Sequence, residues 1–286
     1  MPFTLTDIML GVALPAAVSL TLVVLIAKLG KWLSVRLAAA PIALVAGFEA
    51  GYWSLSLGPI VPESNRHWLP YLVAVAAIVQ IIAQPLGKST LRQTIVLLLF
   101  AVGCGFLLIP AWDDLSPARP VYLIVWPLIV AAAGACGQRK LESEGDAERR
   151  YAGFVICLVF LTSSILLALA GSLSFAQIGL AMFGSSTGLL LAIVFKLSRE
   201  SLALTNFPVA IALCGLLLIG RIYLLSEVPI ISYLLIPAAT VSFCLAGSKT
   251  LEHRCGSKKW LISGAFAILL CLSSLGIAAL SAMGSD

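Results

Sequence analysis

Ten apolar stretches of about 20 residues follow one another with short polar joints between them, and this recurrence leaves the chain few ways to fold. They run over 8–27, 37–57, 68–87, 93–111, 120–137, 151–170, 173–195, 207–226, 229–247 and 260–281. A helix needs about 20 mostly apolar residues to cross the hydrocarbon core of a bilayer. Of the 286 residues, 60% are hydrophobic and 11% charged, with a mean hydropathy of +1.07. Soluble domains carry about 25% charged residues, and one of this size cannot hide so much apolar surface. Inside a bilayer the backbone must satisfy its own hydrogen bonds, which selects helices. The expected fold is all-α: a polytopic membrane helix bundle of about ten transmembrane helices, forming a single integral membrane domain over 1–286.

Local signals punctuate the stretches. Gly58-Pro59 and Pro62 end the second, and Asp113-Asp114 with Pro117 follows the fourth. Gly171-Ser172 reads as a tight turn joining the sixth and seventh helices into an antiparallel hairpin. Asn206 before Pro208 reads as a helix start, since Asn caps free amides and Pro fits the first turn. No basic run precedes the first stretch, whose first charge is Asp7, and Lys28 and Lys31 follow it. That pattern predicts a first transmembrane helix with its N-terminus outside, rather than a cleaved signal.

The basic residues set an orientation. Fifteen of the 18 Lys and Arg fall in joints after odd-numbered helices: Lys28, Lys31, Arg36; Lys88, Arg92; Arg139, Lys140, Arg149, Arg150; Lys196, Arg199; and Lys249, Arg254, Lys258, Lys259. Joints after even-numbered helices hold only Arg66 and Arg119. Cytoplasmic loops are the ones enriched in Lys and Arg, so the odd joints are expected in the cytoplasm and both termini outside. The aromatic positions agree: Trp53, Trp68, Trp112 and Tyr122 fall near outer helix ends, and Trp32, Tyr151 and Trp260 near inner ends. With six acids among them the cytoplasmic joints carry a net charge of +9, which suits anionic lipid headgroups. Orientation alone explains that charge, so no nucleic-acid partner is implied. The bias fits a cytoplasmic (plasma) membrane.

The charged segment 138–150 divides the chain into halves 1–137 and 151–286. Five helices per half put the second half in inverted orientation, the arrangement of many transporters, whose sites lie at the repeat interface. The topology resembles the auxin-efflux-carrier type of architecture at the level of helix count and orientation alone. Gly47-xxx-Gly51 and Gly184-xxx-Gly188 fall in the counterpart second and seventh helices, a close-packing signal, although 23 glycines yield about two such pairs by chance. Ser185, Ser186 and Thr187 lie within the second pattern, placed to bond a neighbouring helix or line a path. Pro15, Pro127 and Pro237 interrupt the first, fifth and ninth helices.

Four residues are candidates for chemistry. Glu49 lies within an apolar helix, where a carboxylate is costly unless paired, protonated or facing water. Arg221 is expected some 7–8 Å from the outer end of the eighth helix at 1.5 Å per residue. Helices two and eight run in the same direction, so the two charges are expected at similar depth and able to pair; snorkelling is the alternative for the arginine. Gln80 and Gln84 share a face of the third helix, where interhelical hydrogen bonding and ligand coordination are the two readings.

Other chemistry is sparse. The outer joints carry Glu63, Arg66, His67, Asp113, Asp114, Arg119 and Glu227, the material for a site at one membrane face. The seven cysteines show no CxxC spacing and read as small hydrophobes in helix packing. There is no Gly-rich phosphate loop, HExxH or nucleophile elbow. No enzyme, metal or cofactor is therefore expected. A small-solute or ion transporter is the leading expectation, and a non-catalytic scaffold or assembly partner in the bilayer is the rival.

Overall fold

The computed structural model describes residues 4–29, 38–83, 90–113, 115–141, 146–197, 202–224, 228–242 and 259–283. Gln84, Asp114, Glu227 and Trp32 lie outside these residues, as do Lys31, Arg36, Lys88, Arg199, Lys249, Arg254 and Lys258 of the basic joints. Among the described residues all regular structure is helical: α1 Leu5–Leu29, α2 Ala39–Ser54, α3 Leu69–Ala83, α4 Thr90–Leu108, α5 Arg119–Leu141, α6 Asp146–Leu169, α7 Leu173–Val194, α8 Asn206–Tyr223, α9 Ile230–Ala239 and α10 Lys259–Met283. Six of these rods are long and apolar enough to cross a membrane: α1, α3 with its preceding turn Asn65–Trp68, α6, α7, α8 and α10. Shorter apolar runs occupy α4, α5 and α9.

The centre of the bundle is α8, in which every residue except Arg221 and Tyr223 is buried. It packs along α3 and α5 and touches α6, α7 and α9. Uniform burial explains why its sequence has no polar face: a helix surrounded on all sides is apolar all round. By contrast α1 and α10 lie at the periphery, with most of their side chains outward.

Four residues of α1 are buried, Gly11, Pro15, Ser19 and Val23, one per turn along a single stripe. That stripe lies against both GxxxG faces. A side chain at Gly51 would lie 2.6 Å from Pro15 Cγ, and one at Gly184 2.5 Å from the Val12 carbonyl. Side chains at Gly47 and Gly188 would overlap Ser19 Oγ and the Ala16 carbonyl. The glycines thus let three backbones meet, as small residues do between membrane helices. Pro15 withholds an N–H from the turn before it, and there α1 loosens into a π-turn over Met9–Ala13.

The α6–α7 hairpin forms as the sequence predicts. Gly171 takes φ +94°, a left-handed conformation natural to glycine, and Ser172 caps α7 by accepting from the Phe175 N–H at 3.3 Å. Ser164 Oγ donates to the Ala176 carbonyl at 2.6 Å across this pair.

Four expectations need correction. The ninth helix is expected over 229–247, but α9 stops at Ala239, where Thr240 Oγ1 turns back to the Pro237 carbonyl at 2.6 Å. A side-chain bond of this kind competes with continued helix. The eighth ends at Tyr223 rather than 226, and the second at Ser54 rather than 57. Asn206 is the first residue inside α8 and not its cap, and its Nδ2 is buried without a hydrogen-bond partner among the described residues.

If the glycine faces hold α1, Gly188→Val should destabilise the protein by about 1–3 kcal/mol through overpacking. Gly276→Ala, where the added carbon meets nothing within 4 Å, should be neutral or stabilising. Thermal unfolding of the detergent-solubilised protein reads both, and equal effects would remove the clamp from consideration.

Candidate functional site

The polar residues inside the bundle fall into three groups, and Glu49 and Arg221 do not fall in the same one. The ends of the rods provide a frame. Asp7 of α1 accepts from Gln177 Nε2 of α7 at 3.1 Å, and Asn65 Nδ2 donates to the Leu107 carbonyl at 2.7 Å. Trp112 and Phe175 pack on Tyr223. These contacts gather one end of the bundle, the Asp7 end. At the other, Tyr151 donates to Ser242 Oγ at 2.9 Å and packs on Trp260.

Glu49 belongs to the Asp7 end. Because α2 stops at Ser54, the carboxylate lies five residues, or about 7–8 Å, from the end of its helix. It is half-buried, within hydrogen-bonding reach of the Trp53 indole one turn on. Tyr52, fully buried, lies within electrostatic reach of Glu49, Tyr71 and Arg66. Arg66 comes from the turn Asn65–Trp68, which folds over this end; its Nε donates to His67 Nε2 at 3.3 Å, and its backbone N–H meets the Tyr223 hydroxyl. Tyr71 hydrogen-bonds the Ile60 carbonyl and packs edge-on against Trp53 and Trp68. The result is an aromatic collar with an acid on its inner side and a base on its outer side.

Arg221 faces elsewhere. It lies in the last turn of α8, about 3 Å from the helix end, where a cation is favoured by the helix dipole. It borders a cavity of about 130 Å³ between α5, α8 and α9 that includes neither Glu49 nor Gln80. Nη1 approaches the Val228 carbonyl at 3.5 Å. The expectation that Glu49 and Arg221 pair is not met, and the reason is packing: α3 lies along α8, while α2 packs mainly on α1 and α7. Equal depth on parallel helices places charges in one layer but does not make them neighbours.

The third group is a seam of hydroxyls between α1, α2 and α7. Ser19 Oγ donates to the Ala43 carbonyl at 2.9 Å, Ser185 Oγ donates to the Leu44 carbonyl at 2.5 Å, and the two hydroxyl oxygens lie 2.8 Å apart. Each hydroxyl has one proton, so two protons serve three contacts. Beside the seam, Ser186 and Thr205 border a cavity of about 10 Å³, near the lower limit for one water. Ser186 Oγ and Gln80 Oε1 are buried without a hydrogen-bond partner among the described residues. Gln80 sits on α3, which packs along α8.

Arg66, Tyr52, Tyr71 and Ser19 carry this geometry and escape a reading of the sequence alone. Arg66 reads there as an ordinary loop charge. The Ser185-Ser186-Thr187 run does signal a polar contact, but not its partner. Among the described residues no three His, Cys, Asp or Glu side chains group to hold a metal ion. No protein-family model matches the chain, and no curated protein matches it.

A double-mutant cycle on Ser19→Ala and Ser185→Ala should return a coupling of about 0.6–1.7 kcal/mol, the range of hydrogen bonds between membrane helices. Strictly additive losses would show that the two hydroxyls act independently.

Proposed function

We propose that this chain is a multi-pass protein of the cytoplasmic (plasma) membrane, crossing it about ten times with both termini outside, and that it transports a small solute or ion without catalysing a reaction. Six rods meet the length and apolarity of a crossing. The positive joints supply the orientation, with the Asp7 end outward. Inverted halves are supported by the packing of counterparts: α1 on α2 as α6 on α7, α4 on α5 as α9 on α10, and α2 on α7 with α3 on α8 across the halves. The contact of α1 with α7 has no comparable counterpart between α6 and α2, so the pairing is partial.

The observation that carries a transport role is Glu49. An acid inside an apolar helix is expensive, and this one is packed into no ion pair of the described residues. It stands half-buried under a collar that leads through Tyr52 to Arg66. That geometry suits a binding group reached from outside. Gln80 Oε1, Ser186 Oγ and Asn206 Nδ2, buried without partners among the described residues, offer polar contacts deeper along the bundle. The scaffold reading draws on the closed serine seam and on the separation of Arg221 from Glu49.

Two measurements test these readings. Ser116→Cys should react with a membrane-impermeant maleimide in intact cells and Lys196→Cys should not; the opposite pattern would invert the topology. A thermal-shift panel of sodium, potassium, small organic acids, amines and sugars should find one class that raises the unfolding midpoint by about 5 °C at saturation. Glu49→Gln should abolish that shift. A panel without any response would return the chain to the scaffold reading.

A further inference from the structure

Glu49 and its neighbours narrow the class of solute that the proposed site would take. The residue is half-buried, so part of it stays within reach of a ligand. One turn on, the Trp53 indole lies within hydrogen-bonding reach of the carboxylate. Trp53 is itself half-buried, and its ring stands 6.4 Å from that of Tyr71 at 70°. Tyr71 is half-buried too, and Trp68, 6.2 Å from it at 65°, is 37% exposed. An accessible acid therefore stands at the foot of three accessible rings, each set steeply to the next. The faces of such rings are negative, so acid and rings favour the same kind of ligand, a cation.

The oxygen donors decide which kind of cation. Hard metal ions take about six to eight oxygen ligands, and potassium sites replace the hydration shell with carbonyls. Here α2 runs unbroken over Ala39–Ser54, which commits the carbonyls around Glu49 to the helix. The Tyr71 hydroxyl is turned to the Ile60 carbonyl, and Tyr52 is fully buried. Among the described residues no further His, Cys, Asp or Glu joins Glu49 in a metal-holding group. One carboxylate does not replace the hydration shell of a small ion. An organic ammonium ion asks for less, because its charge is shared with apolar substituents that lie against aromatic faces, as quaternary ammonium ligands do in aromatic cages. Arg66, exposed on the outer side of Tyr52 with its Nε bonded to His67, opposes all cations alike and does not choose between them.

We propose that the Glu49 site binds an organic ammonium ion, with the cationic nitrogen at the carboxylate and its substituents against Trp53, Tyr71 and Trp68. This rests on the reading of Glu49 as a solute-binding group and adds the class of solute.

The test titrates the detergent-solubilised full chain at constant ionic strength, reading the unfolding midpoint. The probes are choline, tetraethylammonium, sodium, acetate and the uncharged alcohol in which carbon replaces the choline nitrogen. The two ammonium ions should raise the midpoint, and the other three should not. Glu49→Gln should abolish the ammonium shifts. Trp53→Leu should weaken ammonium binding about fivefold, the factor that one cation–π contact of about 1 kcal/mol gives. Trp53→Phe, which keeps a ring, should retain most of the binding, and Tyr71→Leu reads the same loss if Trp53→Leu does not fold. A Glu49-dependent shift with sodium or acetate but with neither ammonium ion would overturn the ammonium class and leave the transport reading standing. Equal shifts from choline and its uncharged counterpart, or ammonium binding that both leucine variants leave unchanged, would overturn it too. Silence from every probe and from the wider panel would remove both readings.

Discussion

The contact on which the bundle depends is the seam where the small-residue stripe of α1 lies against the glycine faces of α2 and α7. Between membrane helices there is little hydrophobic drive, because lipid tails are as apolar as leucine. Close packing and interhelical hydrogen bonds must supply the cohesion. Gly47, Gly51, Gly184 and Gly188 bring backbones near enough for Ser19 and Ser185 to reach the carbonyls of Ala43 and Leu44. Without those glycines the hydroxyls would be held away from their acceptors and left to bond within their own helices. The same seam joins the N-terminal helix to the second half of the chain, which makes α1 a tie between the halves as well as a member of one.

Around that seam the bundle divides its polar groups by position. Aromatic rings collect at both ends, where an amphipathic ring meets both water and hydrocarbon. Glu49 is held among Trp53, Tyr52 and the turn that carries Arg66. Arg221 borders the cavity between α5, α8 and α9, with Nη1 toward the Val228 carbonyl. Arg221 lies on the central helix, whereas α2, which carries Glu49, packs mainly on α1 and α7.

The positions of nearly all the helices could be read from the sequence, because an apolar run bounded by Gly, Pro and charge has one stable outcome in a bilayer. The α6–α7 turn, the end-placed aromatics and the importance of both GxxxG patterns were legible in the same way. Each is a local property, set by residues close together in the chain. The end of α9 at Ala239 was not, since it turns on whether Thr240 bonds to the Pro237 carbonyl or continues the helix, a choice made by small differences in local energy.

Neighbour relations between helices came from the tertiary structure alone. Sequence placed Glu49 and Arg221 within apolar stretches, on helices expected to run the same way. It carried no information on which faces of those helices meet, because hydropathy fixes depth along the membrane normal and not position around the bundle. Packing of side-chain shapes decided that α3 lies along α8, that α1 fits the glycine faces, and that Arg66 rather than Arg221 stands beside the Tyr52 collar.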